Sequence, residues 1–203
     1  MPGDRGGAVA GIVLAAGTSS RMGRNKLFFT LDGVTLLRRA VSRAVDARLD
    51  PIIVVLGHEA DRARAELVGL PCRAVTNLDY QLGINRSLRT GINAVAEDSQ
   101  AAIVMLADMP LVTTDMLSRL VERYRAGTAP LVISDYGGVT APPMLYDRGI
   151  FPELQSMEGE GCGKQVVKRH RGEATVVTWP PDALTDLDEP LDYERMKTRL
   201  AAG

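Results

Sequence analysis

Four runs of consecutive apolar residues constrain this chain more than any other feature: Val9–Ala15, Pro51–Leu56, Ala101–Ala107 and Pro130–Ser134. A strand with one face in water alternates apolar and polar residues, whereas a strand apolar at every position needs cover on both faces. A parallel sheet between two layers of helices provides that cover, and the segments between the runs supply the helices. Leu37, Ala40, Val41, Ala44 and Val45 recur at i, i+3, i+4, i+7 and i+8, the spacing of one helix face. Leu117, Leu120, Val121 and Tyr124 repeat the pattern, with Thr114 as the expected N-cap and Asp115 in the first turn. Strand and helix in alternation, joined by right-handed crossovers, predict a three-layer α/β/α sandwich around a mostly parallel, Rossmann-like sheet.

No internal repeat, charge block or low-complexity linker divides the 203 residues, so a single domain is expected, with Met1–Gly7 as a flexible tail. Ala8–Ala16 is short and apolar, but Asp4 and Arg5 before it make no basic leader. A cut near Ala16 would also discard the first strand. No run approaches the ~20 apolar residues of a membrane span. A formal net charge of −1 speaks against nucleic acid and anionic membranes as partners. Cys72 and Cys162 form no C-x-x-C, which argues against a disulfide framework or a thiolate zinc site and suits a reducing cytoplasm.

Ligands of open α/β sheets bind beyond the carboxyl ends of the strands, so loops 15–26, 77–88 and 108–110 are expected to carry the chemistry. The first lies in I-V-L-A-A-G-T-S-S-R-M-G-R-N-K, Ile12–Lys26. Ala15, Ala16 and Gly17 let backbone approach a ligand closely, while Arg21 and Lys26 bring positive charge to where a polyphosphate fits. This is not a P-loop, because Gly17 and Gly23 are six apart and Leu27 follows Lys26. Asp108 stands directly after an apolar run, with Pro110 enforcing an extended exit. It can reach a metal ion in the crevice or cap a turn. Asp186 and Asp188 flank Leu187 and point to one side of an extended segment, which suits either a metal or the N-cap of a helix near Pro190. Gly83 and Ser87, beyond a short strand around Ala74–Val75, can offer backbone N–H groups and a hydroxyl to ribose or phosphate. Arg86 beside them reads either as a further contact or as a solvated helix residue. Neither His58 nor His170 has a serine or cysteine partner at recognisable spacing.

The Leu14–Lys26 segment resembles the L-A-[AG]-G-x-S-x-R-M-G-x-x-K signature of nucleotidyltransferases related to the molybdenum cofactor cytidylyl- and guanylyltransferases. The resemblance implies that Leu14, Ala15, Ala16 and Gly17 lie against a nucleoside triphosphate whose phosphates Arg21 and Lys26 hold. It further implies that Asp108, in a D-x-P, binds Mg²⁺, with Asp188 and Asp186 near the metal. Asn77, Gly83, Ser87, Leu88 and Gly91 keep the register of N-P-x-x-x-x-G-M-x-x-S-L-x-x-G, placing Asn77 and Ser87 at the nucleotide. L-A-A-G is similar to the cytidylyl branch, so CTP is expected over GTP. The implied acceptor is phosphorylated and of the molybdopterin type, with a molybdoenzyme or accessory protein as a further partner. The second half departs from the pattern: Val139–Met144 and Gly159–Lys164 stand where G-x-P-x-x-[FL] and G-D-x-G-A-R are usual. A sugar-phosphate nucleotidyltransferase and a nucleotide-binding accessory protein without turnover remain as alternatives.

Overall fold

A computed structural model of the chain describes residues 5–18, 25–156, 162–185 and 193. The chain enters through β1 (Val9–Ala15), which is buried along its length. A small hairpin, β2 (Thr30–Leu31) and β3 (Val34–Thr35), leads into α1 (Leu36–Asp46), where the Thr35 side chain caps the helix by accepting from the Arg38 N–H. Next come β4 (Ile52–Leu56), α2 (Ala60–Glu66), β5 (Arg73–Thr76), α3 (Ile84–Asn93), β6 (Ala101–Leu106) and α4 (Thr114–Ala126). The remainder holds β7 (Leu131–Tyr136), β8 (Val139–Thr140), β9 (Met144–Asp147), α5 (Phe151–Ser156), α6 (Cys162–His170) and β10 (Thr175–Trp179).

The sheet order is β10-β7-β9-β6-β1-β4-β5, with β8 hydrogen-bonded to β7. β1, β4, β5 and β6 run parallel, as do β7 and β10, and β9 runs antiparallel between β6 and β7. This is the mostly parallel, Rossmann-like sandwich expected from the apolar runs. Alternate residues of each central strand feed opposite layers. Val13, Val54, Leu56 and Ile103 pack with α1 and α4; Ile12, Ile53, Val55 and Val104 pack with α3, α5 and α6. Gly91 makes the second contact possible, because a Cβ there would lie 2.5 Å from Ile12 Cγ2.

Two local expectations need correction, and two strands lie outside the apolar runs. The N-cap of α4 is Thr113, not Thr114: its backbone is extended and its hydroxyl accepts from the Met116 N–H at 3.2 Å. β9 and β10 carry no long apolar run, because β9 spans only four residues and β10, at the sheet edge, alternates exposed and buried positions. Arg5, assigned to the tail, is docked. It donates to the carbonyls of Tyr124, Thr128 and Ala129, stacks over the Tyr124 ring and pairs with Asp147 at 3.7 Å. At the opposite edge of the sheet, Arg64 of α2 reaches over β5, donating to the Ala74 carbonyl and, at 2.6 Å, to the Thr76 hydroxyl. Among the described residues no helix is long and apolar enough to cross a membrane.

Candidate active site

β1 and β6 lie side by side, Leu14 against Leu106, and the Ala107 N–H donates to the Leu14 carbonyl at 3.1 Å. From β1 the chain proceeds to β4 on one side; from β6 it proceeds to β7 on the other. Such a reversal leaves a crevice at the strands' carboxyl ends. A cleft of about 530 Å³ occupies that position. The end of β1 lines it with Leu14, Ala15, Ala16 and Gly17, the first three buried and Gly17 exposed. Lys26 and Asp108 line it as well, and so does Ser87 of α3.

Lys26 and Asp108 meet here. Lys26 Nζ lies 2.6 Å from Asp108 Oδ2, with the two side chains only 14% and 21% exposed. Asn25 shapes the turn that carries the lysine: its buried side chain accepts from the Leu27 N–H at 3.2 Å and starts the 3₁₀ turn Lys26–Phe28. Asp108 sits at the end of β6, and the loop beyond it is fastened to α1. The Arg43 guanidinium donates through Nη1 to the carbonyls of both Pro110 and Val112. Burial, with Arg39 adding to it, pulls that guanidinium down to about 10, so it stays cationic at neutral pH.

Asn77 is placed differently from the other expected residues. It does not line the cleft but is buried behind it, donating to the Ser87 hydroxyl at 3.0 Å and accepting from the Asp79 N–H at 3.0 Å. It therefore braces the loop against α3 and orients Ser87. Gly83, at φ 101°, leads into α3 in a conformation that a side chain would strain. Arg86 is exposed, the solvated alternative. Arg21, Asp186 and Asp188 lie outside the described residues. Neither histidine lines the cleft; His170 bonds Glu153 at 2.7 Å.

Tyr80, Gln81 and Ile84 also line the cleft; they fall within the 77–88 loop expected to carry the chemistry, but none was a candidate site residue. One signal for Tyr80 exists in Gly57, directly after β4. A Cβ there would lie 2.6 Å from Tyr80 Cβ and 2.7 Å from the Ala16 carbonyl, so Gly57 lets the tyrosine press against the end of β1. Ile84, which lines the cleft, and Leu82 nearby in sequence are 55% and 65% exposed, apolar positions that hydropathy patterning assigns to no element.

Among the described residues no three His, Cys, Asp or Glu side chains converge as a ready-made metal cage. One carboxylate already holding a cation fits an ion whose remaining ligands are water and substrate phosphate oxygens, the usual habit of Mg²⁺.

A switch-point cleft with a close-approach backbone floor, one ammonium and one carboxylate belongs to a Rossmann-like nucleotidyltransferase fold. The chain belongs to the MobA-like NTP transferase domain family, whose profile matches residues 11–175. The purine catabolism protein PucB of Bacillus subtilis is 27% identical over 94% of this chain and 97% of its own length. The molybdenum cofactor guanylyltransferase of Rhodobacter capsulatus is 28% identical over 95% and 96%. The nicotine blue oxidoreductase of Paenarthrobacter nicotinovorans is 28% identical over 80% and 82%. Among solved structures, Rv0371c of Mycobacterium tuberculosis superposes with a TM-score of 0.84 at 26% identity, covering 95% of this chain and 98% of that one. The same protein in complex with manganese gives 0.76 at 25% identity, over 94% and 98%.

Proposed function

We propose that this protein transfers a nucleoside monophosphate from a nucleoside triphosphate to a phosphorylated acceptor. An oxygen of the acceptor phosphate attacks the α-phosphorus, the α–β anhydride bond breaks and pyrophosphate leaves. The observation that carries this reading is the Lys26–Asp108 pair over the Leu14–Gly17 floor. It sets one cationic and one anionic group beside a small-residue backbone floor that a polyphosphate can approach closely. Lys26, with Arg21, binds and orients the triphosphate. Asp108, with Asp186 or Asp188, offers the carboxylates for a divalent ion. Mg²⁺ bound there supplies charge neutralisation for the developing phosphorane oxygens. Ser87, held by Asn77, presents a hydroxyl to the nucleotide, and Leu14–Gly17 confine it. Little covalent chemistry falls to the protein, so positioning supplies most of the acceleration.

The donor is CTP by the L-A-A-G form, while the guanylyltransferase relative supports GTP. The acceptor is of the molybdopterin type, which the same relative supports. A cytoplasmic setting with a molybdoenzyme or accessory partner completes the reading. Pyrophosphate release from CTP and from GTP, each with Mg²⁺ and with molybdopterin or a sugar phosphate as acceptor, tests all of this. The expected outcome is release with CTP and molybdopterin, suppressed in Asp108→Asn. Release with sugar phosphate alone would move the acceptor class; binding without release under every combination would leave an accessory protein.

A further inference from the structure

The loop that carries Asp108 is tied to the body of the protein by a side chain from a different element. Arg43 lies on α1 and does not line the cleft, yet its Nη1 serves two carbonyls in the loop, those of Pro110 and Val112. These are the second and fourth residues after Asp108. Pro110 contributes no N–H, so this stretch has few backbone donors of its own to fix its course. A Val112 N–H bond to the Met109 carbonyl at 3.3 Å closes the turn, and the guanidinium then fastens the closed turn to α1. Two carbonyls sharing one half-buried cation is more than packing requires, since Met109 and Val112 are already sealed at 3% and 1% exposure.

We propose that Arg43 is a positioning residue for Asp108, holding the 108–112 loop so that the carboxylate keeps the place from which it binds a divalent ion. The proposal rests on Asp108 being a metal carboxylate, as read above. It makes a prediction of opposite sign to simple electrostatics. Removing a positive charge near a cation site tightens cation binding by Coulomb repulsion relieved, whereas releasing the loop weakens it.

Mn²⁺ is titrated into the full chain with saturating CTP or GTP and no acceptor, free Mn²⁺ being followed by electron paramagnetic resonance. The proteins compared are wild type, Arg43→Met, Arg43→Gln, Arg43→Lys and Asp108→Asn. Losing an outer contact that orients a metal ligand typically costs about ten-fold or more in affinity. We expect that loss in Arg43→Met and Arg43→Gln, a smaller one in Arg43→Lys, and unchanged nucleotide affinity in metal-free buffer. In turnover the half-saturating metal concentration rises while kcat at saturating metal is kept. Unchanged or tighter Mn²⁺ binding in the Arg43 variants, alongside a loss in Asp108→Asn, overturns the positioning role alone. Unchanged binding in Asp108→Asn overturns the metal assignment and the positioning role with it. Should Arg43→Met and Arg43→Gln fail to fold, Arg43→Lys decides, because it keeps the charge and loses only the planar fork.

Discussion

Lys26 and Asp108 bond each other at 2.6 Å, so each satisfies the other's charge before any ligand arrives. In the proposed reading, the ammonium competes with a divalent ion for that carboxylate oxygen. Lys26→Met should therefore do two opposite things. Triphosphate binding should weaken by about 1.5 kcal/mol or more, the worth of a charged hydrogen bond, while Mn²⁺ binding to the nucleotide-free protein tightens. Calorimetric titration of each ligand separately checks both signs; weaker Mn²⁺ binding would mean the lysine helps to build the metal site instead. At this scale the sequence was informative where residue type and strand-end position point the same way. Lys26 after one strand end and Asp108 after another were legible from 15–26 and 108–110 alone, and both line the cleft. Asn77 was not, because an asparagine that contacts a ligand and one that braces a turn look identical in sequence; only its bonds to Ser87 and Asp79 decide.

Among the elements, α3 shows most clearly how packing and site depend on each other. Its Gly91 admits the helix to β1, and the same helix carries Ser87 into the cleft. Gly91→Ala places a methyl where Ile12 Cγ2 already sits, so the helix must move out or the isoleucine change rotamer. Overpacking of this kind costs about 1–3 kcal/mol. Urea unfolding should show a lower midpoint at unchanged slope, and nucleotide affinity should fall with it because Ser87 moves with the helix. A fully stable variant would show that the contact relaxes freely. The central strands were legible because burial on both faces leaves an unmistakable apolar run. β9 and β10 were not: one is short, and the other has an exposed face, so its sequence resembles that of many loops.

For the molecule as a whole, the docked Arg5 joins the entry of β1 to the end of α4 and to Asp147 at the end of β9. Arg5→Ala leaves three carbonyls and one carboxylate without that donor. At about 1 kcal/mol for a typical net hydrogen bond, with part of the loss recovered by water, thermal unfolding should occur a few degrees lower. An unchanged midpoint would return this residue to the tail. The far edge of the sheet carries a different kind of consequence. A parallel sheet ends wherever its last strand finds no neighbour, and an unclaimed row of carbonyls and N–H groups recruits the next strand it meets. Arg64 lies across β5 at that end, taking the Ala74 carbonyl and the Thr76 hydroxyl. One long side chain from a short helix thus withdraws an acceptor that a foreign strand would need. An incoming strand would have to displace Arg64 before it could reach that carbonyl.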